Sequence, residues 1–208
     1  MIDKHANRKR FEELLYSTIR EGIYPIKKED IDHVLDCISK WGFFEAPASA
    51  GYHLNEPGGL ALHSLNVYSV ASKLKPILVE LKPEVESSLP DNSVILSTLL
   101  HDVCKSDIYK LGQKYRKDEN GRWETYEAYN VDYHLFPLGH GEKSVIMLLR
   151  AGLQLCIDEM IAIRWHMSAW DLAFQSAEAK SSLNAAKERC PLLSLLQAAD
   201  CLSAGIIE

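Results

Sequence analysis

The chain has 208 residues, 47% hydrophobic and 25% charged, with a net charge of -6. That length suits one large domain with a sizeable core, and the balance is that of an ordinary globular protein. The acidic surplus argues against a general nucleic-acid-coating role, which needs basic surface to displace counterions. No run of about 18 uninterrupted apolar residues marks a membrane span. The N-terminus, Met1-Ile2-Asp3-Lys4-His5-Ala6, lacks the apolar stretch of a signal peptide. Cys37, Cys104, Cys156, Cys190 and Cys201 are odd in number and widely spaced, without a CxxC pair. They read as reduced thiols of a cytoplasmic protein.

In chain order, residues 7–21 carry Phe11, Leu14, Leu15, Thr18 and Ile19 at helical spacing, with Gly22 and Pro25 after them. A second helix is predicted over 30–41, with Ile31, Val34, Leu35 and Ile38 on its apolar face and Gly42 as its stop. Neither segment concentrates reactive groups, so residues 1–42 read as an N-terminal helical layer. Residues 43–59 are rich in Pro, Gly and small side chains and read as a long loop. Such loops in compact domains are often functional, which makes Tyr52 and His53 candidates for the edge of a site. A third helix opens at Gly59-Leu60-Ala61-Leu62-His63 and runs to about residue 78, placing His63 on an apolar face. After a polar connection over 81–91, a helix from about Ser93 ends in His101-Asp102, within the stretch Leu99-Leu100-His101-Asp102-Val103-Cys104-Lys105.

Residues 113–127 read as a β-hairpin on the Asn120-Gly121 turn. Its strands are charged and aromatic, as in an exposed insertion. Pro137-Leu138-Gly139-His140 leads into a helix, with His140 at its start. An anion approaching that helix start would meet Lys143 and Ser144. Residues 157–167 form another helix that places His166 at its end. A polar helix spans 176–189. The last helix begins at Pro191, a good first helical residue, and carries Asp200 among Leu192, Leu193, Leu195, Leu196 and Ala199.

An ionised carboxylate in an apolar interior is costly unless something pairs with it. His63, His101, Asp102, His140, His166 and Asp200 are all polar intruders on apolar helices. Four neutral imidazoles and two carboxylates suit two divalent cations about 3.5–4 Å apart, sharing one carboxylate. Asp102, adjoining His101, is the natural bridge.

The order and types of these residues, with Gly58-Gly59-Leu60-Ala61-Leu62-His63-Ser64, Leu99-Leu100-His101-Asp102-Val103-Cys104-Lys105, Leu138-Gly139-His140, Arg164-Trp165-His166 and Ala198-Ala199-Asp200, resemble the HD-domain superfamily of metal-dependent phosphohydrolases in its six-ligand, two-metal form. Small bacterial and phage HD hydrolases and the HD domain of YhaM-like exoribonucleases are similar to it over residues 43–205. The resemblance implies an all-α HD-domain helical bundle, carrying the hairpin as an insertion, in a single domain over 1–208. It implies two divalent transition-metal ions, Fe or Mn foremost and Ni, Co, Zn or Mg as further candidates. It also implies hydrolysis of a phosphoester of a nucleotide or related small substrate by a metal-activated water. Asp102 and Lys105 would be the catalytic pair, with Lys105 on the phosphate. Glu142, Lys143, Arg116, Lys114 and His53 are weaker candidates for substrate contacts. The same ligand set fits HD-type mixed-valent di-iron oxygenases, and a nucleotide-sensing module without turnover is a third reading. A small phosphorylated substrate is the expected partner, with neither a membrane nor general nucleic-acid binding.

Overall fold

The computed structural model describes residues 2–171 and 177–208. It is all-α with one small hairpin. Helix α1 (Lys4–Tyr16) starts at Asp3, whose carboxylate accepts the Ala6 amide at 2.9 Å. It stops three residues before the apolar stripe does. Ser17 and Thr18 turn their hydroxyls onto the carbonyls of Leu14 and Leu15 at 2.6 and 2.7 Å. The chain then doubles back through paired backbone bonds between Arg20 and Ile26. The helix expected over 7–21 is therefore shifted toward the N-terminus, because local hydroxyl bonds compete with the helical ladder.

Helix α2 (Lys28–Lys40) carries Glu29 and Asp30 in its first turn and Lys40 in its last, which suits the helix dipole. Phe11 of α1 packs on Phe43 and Phe44 just after α2, with ring centroids 5.1 and 5.4 Å apart. Helix α3 (Gly59–Leu81) buries Leu60, His63, Ser64, Val67 and Ala71 along one stripe. Helix α4 (Asp91–Leu100) is buried from Ser93 to its end, so it forms the centre of the packing. A short 3-10 turn, Val103–Asp107, follows it.

The hairpin is longer than the sequence pattern implied. Strands β1 (Tyr109–Lys117) and β2 (Trp123–Val131) pair antiparallel from Tyr109↔Val131 to Lys117↔Trp123. Asp118 organises its tip by accepting the amides of Asn120 and Arg122 at 2.9 and 2.8 Å. Gly121 supplies the left-handed residue there, with φ +77°. The chain returns to helix in α5 (His140–Arg150), α6 (Ile157–Trp165), α7 (Ala177–Arg189) and α8 (Pro191–Leu202), the last ending in a π turn, Ser203–Ile207.

Two apolar clusters share this frame. One holds the faces of α1, α2 and α5 with Leu60, Leu96, Leu99 and Ile163. The other gathers Val67, Val94 and Ala162 around the leucines of α8. Helices α3, α4 and α6 contribute to both, and they meet along the seam between them. The five cysteines are unbridged. Among the described residues, no single helix is long and apolar enough to cross a membrane.

One buried ion pair ties the N-terminal layer to this frame. Glu159, fully buried at the start of α6, receives Arg20 at 2.5 and 2.9 Å and the Ser93 hydroxyl at 2.7 Å. Removing one partner of such a pair strands the other charge. Glu159→Ala is expected to cost about 3–5 kcal/mol in urea-induced unfolding. A loss under about 1 kcal/mol would show that Arg20 finds water instead.

Candidate metal centre

Helix ends build most of the centre. The last carbonyls of a helix lack intrahelical partners. His101, the residue after α4, sets its Nδ1 2.9 Å from the Thr98 carbonyl. His166, the residue after α6, does the same on the Ile163 carbonyl at 2.7 Å. A carbonyl only accepts, so Nδ1 carries a proton in both rings and Nε2 is the atom turned toward the cluster. His63, in the second turn of α3, has no such carbonyl to use. Its Nδ1 instead lies 3.0 Å from both carboxylate oxygens of Glu208. Glu208 is in turn held by Asn66 at 3.1 Å and Ser203 at 2.7 Å.

The Nε2 atoms of His63, His101 and His166 are buried and make no hydrogen bond. They converge on two carboxylates. His63 Nε2 is 3.2 Å from Asp200 Oδ1 and 3.5 Å from Asp102 Oδ2. His101 Nε2 is 3.5 Å from Asp102 Oδ2 and 3.9 Å from Asp200 Oδ1. His166 Nε2 is 3.4 Å from Asp102 Oδ1, and His140 Nε2 lies on that same oxygen at 2.5 Å. Neighbouring rings sit 4.8 to 5.3 Å apart between centroids.

His140 reaches this cluster because Gly141 lets α5 touch the end of α6. A Cβ on Gly141 would stand 2.1 Å from the Arg164 carbonyl oxygen, so a side chain there would push the two helices apart.

Charge follows the same geometry. Burial alone would raise the Asp102 carboxyl, but Lys105, His101 and His140 outweigh it and hold it well below the usual carboxylate range. Burial opposes the Asp200 charge too, and His63 and His101 pull that carboxyl down. Burial pushes His101 down to about 4, so its imidazole is neutral. Burial also works against protonation of His63, yet Asp102, Asp200 and Glu208 raise it well above the ordinary value.

Three buried imidazole nitrogens around two carboxylates are a donor set for a cation, and a bound cation would displace the proton that the carboxylates otherwise favour on His63. Imidazole and carboxylate together suit a divalent transition metal. Ligand atoms of His63, His101 and Asp200 lie within 4.8 Å of one another, as do those of His101, Asp102 and His166, and those of Asp102, Cys104 and His140. These residues fit a metal, and any of these groups could hold one.

The residues expected at the site divide clearly. His63, His101, Asp102, His140, His166 and Asp200 come together. Lys105 joins them, its Nζ 2.6 Å from Asp102 Oδ2. His53 reaches the edge, with its ring 5.2 Å from that of His63 and Nε2 3.9 Å from Glu208. Tyr52 beside it is 88% exposed. Four weaker candidates are used elsewhere. Lys143 is buried, paired with Asp107 and set over the Phe136 ring, so its charge is satisfied away from the cluster. Ser144 is likewise turned inward, accepting the Cys104 amide at 3.2 Å. Glu142 pairs with Arg164 at 2.7 Å. Arg116 lies on the hairpin, paired with Glu124 and stacked over Tyr126. Lys114 lines a cavity between the hairpin and the segment around Asn55 and Glu56.

Two participants escaped the sequence reading. Glu208 lies outside the 43–205 span and carries no periodic signal. Tyr109, at the base of the hairpin, is close enough for the Lys105 charge to oppose the effect of burial, which pushes its phenol up to about 12.

No family model matches the chain, and no solved structure matches it. A dihydroneopterin 2′,3′-cyclic phosphate phosphodiesterase of Methanocaldococcus jannaschii is 30% identical to it over 89 residues, 43% of this chain. The aligned part spans about a third (32%) of that relative's length.

Partners of a ligand's outer nitrogen tune metal affinity by about 10–100-fold. Glu208→Ala should weaken Mn²⁺ binding by that factor in calorimetric titration, while Glu208→Gln, which keeps an acceptor for Nδ1–H, loses less. Equal loss in the two variants would mean that Glu208 acts only through its charge.

Proposed function

We propose that this chain is a metal-dependent phosphohydrolase of the HD-domain superfamily acting on a small phosphorylated substrate. In this reading it forms one domain, with residues 43–205 as the metal-binding unit and 1–42 as a helical layer beside it. The observation that carries the reading is the set of three buried, unbonded Nε2 atoms facing Asp102 and Asp200. Two further facts support it: Lys105 beside Asp102, and the phosphodiesterase named above as a relative.

The two oxygens of Asp102 face different partners. Oδ2 faces His63, His101 and Lys105, with Asp200 completing that side. Oδ1 faces His140 and His166. This partition supports two divalent transition-metal ions, Fe or Mn foremost, with Asp102 shared between them. Bound there, such ions would supply Lewis acidity, bringing the pKa of water to about 7 and polarising the phosphoryl group.

The chain's own residues do the rest. The Nδ1 partners of His63, His101 and His166 fix the rings, so Nε2 needs no reorientation. Lys105, raised in pKa by Asp102 against the opposing effect of its own burial, stays an ammonium. It can offer that charge to a phosphoryl oxygen as negative charge develops there, the preorganised stabilisation on which such reactions rely. The apolar residues on both sides of the seam keep bulk water from His63, His101, Asp102 and His166, which strengthens the charge interactions among them.

The test is hydrolysis of 2′,3′-cyclic nucleotides by protein loaded with Mn²⁺ or Fe²⁺, in air and under argon. The reading predicts equal turnover in both atmospheres with Mn²⁺ and full turnover under argon with Fe²⁺, as hydrolysis needs no O₂. Lys105→Ala should cut kcat about 10²–10³-fold, the usual cost of one charge-stabilising donor. Asp102→Asn should lose metal as well as turnover. Absence of phosphoester cleavage with every metal, or an absolute need for O₂, would overturn the reading.

A further inference from the structure

A cavity of about 500 Å³ opens beside the metal centre between the stretch before α5 and the turn after α6. That size is within the range of about 300–1,000 Å³ typical of small-molecule sites. His140 belongs both to its wall and to the cluster. With its side chain 20% exposed, against 1% or less for His63, His101 and His166, it is the one imidazole of the four open to this side. The rest of the described lining includes Tyr133, Leu138, Met167 and Trp170, and holds no Lys, Arg, Asp or Glu.

These walls leave large apolar surfaces in water. Trp170 is 90% exposed, Tyr133 54% and Leu138 37%. Trp170 sits in the short 3-10 turn Ser168–Asp171, entered through a left-handed Ser168 at φ +51° and held by its amide on the Met167 carbonyl at 3.1 Å. The helix end that supplies His166 thus also sets the position of Trp170. An exposed apolar patch that runs into a polar reactive centre is a ligand-binding feature.

We propose that this cavity seats the non-reacting part of the phosphoester, and that this part is a neutral, planar heteroaromatic ring such as a nucleobase or pterin. The inference rests on the phosphohydrolase reading for the position of the phosphate, and adds the subsite and the residues that would hold the ring. Aromatic walls bind flat rings through their π faces. Among the described residues, the lining has no cation for a second anionic group and no cluster of polar side chains for a sugar or polyol. The pterin ester in the relative's printed name has this shape: a flat bicyclic ring joined to a compact cyclic phosphate. The other large cavity, about 550 Å³ between the hairpin and the segment around Asn55 and Glu56, contains none of the cluster's residues and displays Lys114, Glu56 and Glu127. It lacks the connection to the cluster, and its apolar walls are interrupted by charged side chains.

Two esters with the same reacting group separate the ring from the phosphate: guanosine 2′,3′-cyclic phosphate and glycerol 1,2-cyclic phosphate. The Mn²⁺-loaded enzyme should prefer the guanosine ester by about tenfold or more in kcat/KM, the scale of one stacking contact. Trp170→Ala and Tyr133→Ala should each reduce that preference several-fold, with melting temperatures near wild type because both side chains are largely exposed. An unchanged preference in both variants would overturn the proposal. Calorimetry with guanosine alone gives a second readout that needs no turnover: binding to the wild type, weakened about tenfold in Trp170→Ala. If neither ester is cleaved, the hydrolase reading fails, and guanosine binding still decides whether this cavity takes a flat ring. No guanosine binding to the wild type would overturn that.

Discussion

Asp102 is a carboxylate only 2% exposed, and the centre is arranged around making that tolerable. A bare carboxylate in an apolar interior would take up a proton. Here Lys105 and His140 approach its two oxygens at 2.6 and 2.5 Å, and three further imidazoles face it from 3.4 to 3.5 Å. The surroundings therefore keep Asp102 ionised. The Nε2 atoms of His63, His101 and His166 make no hydrogen bond in this arrangement, unlike those of a finished structural ion-pair network.

The architecture explains how so many polar groups share one place. Helices α4 and α6 both stop at a histidine, and each last turn offers a carbonyl that orients the ring. Helix α5 begins at a histidine, and Gly141 allows its first turn to lie against the end of α6. Helix α3 presents His63 from its second turn and borrows Glu208 to hold it. The site thus stands where helix ends meet at the seam between two apolar clusters, and packing rather than loop structure sets its geometry. That rigidity is what preorganised stabilisation of developing charge demands.

Much of this was legible in the sequence because the signals were local. Apolar spacing located the helices, and His-Asp at the end of an apolar run pointed to the centre. The misses arose where distant contacts decide. Residues 17–21 have the stripe of a helix, yet Ser17 and Thr18 bond back to the chain and Arg20 is drawn to Glu159, far away in sequence. Lys143 looked available for a phosphate at a helix start, but Asp107 and Phe136 enclose it. Glu208 has no pattern around it; only folding shows that it stands behind His63. Tyr133 and Trp170 likewise acquire meaning only from the cavity they share with His140.

The account depends on cations filling the space between the orphaned nitrogens and the two aspartates. The most direct measurement is anomalous diffraction at the Mn edge from crystals grown with Mn²⁺. It should show two peaks, one within coordination distance of His63, His101 and Asp200, the other of His140 and His166, with Asp102 reaching both. A cluster without anomalous density, in which Lys105 and His140 remain on Asp102 as they are here, would contradict it.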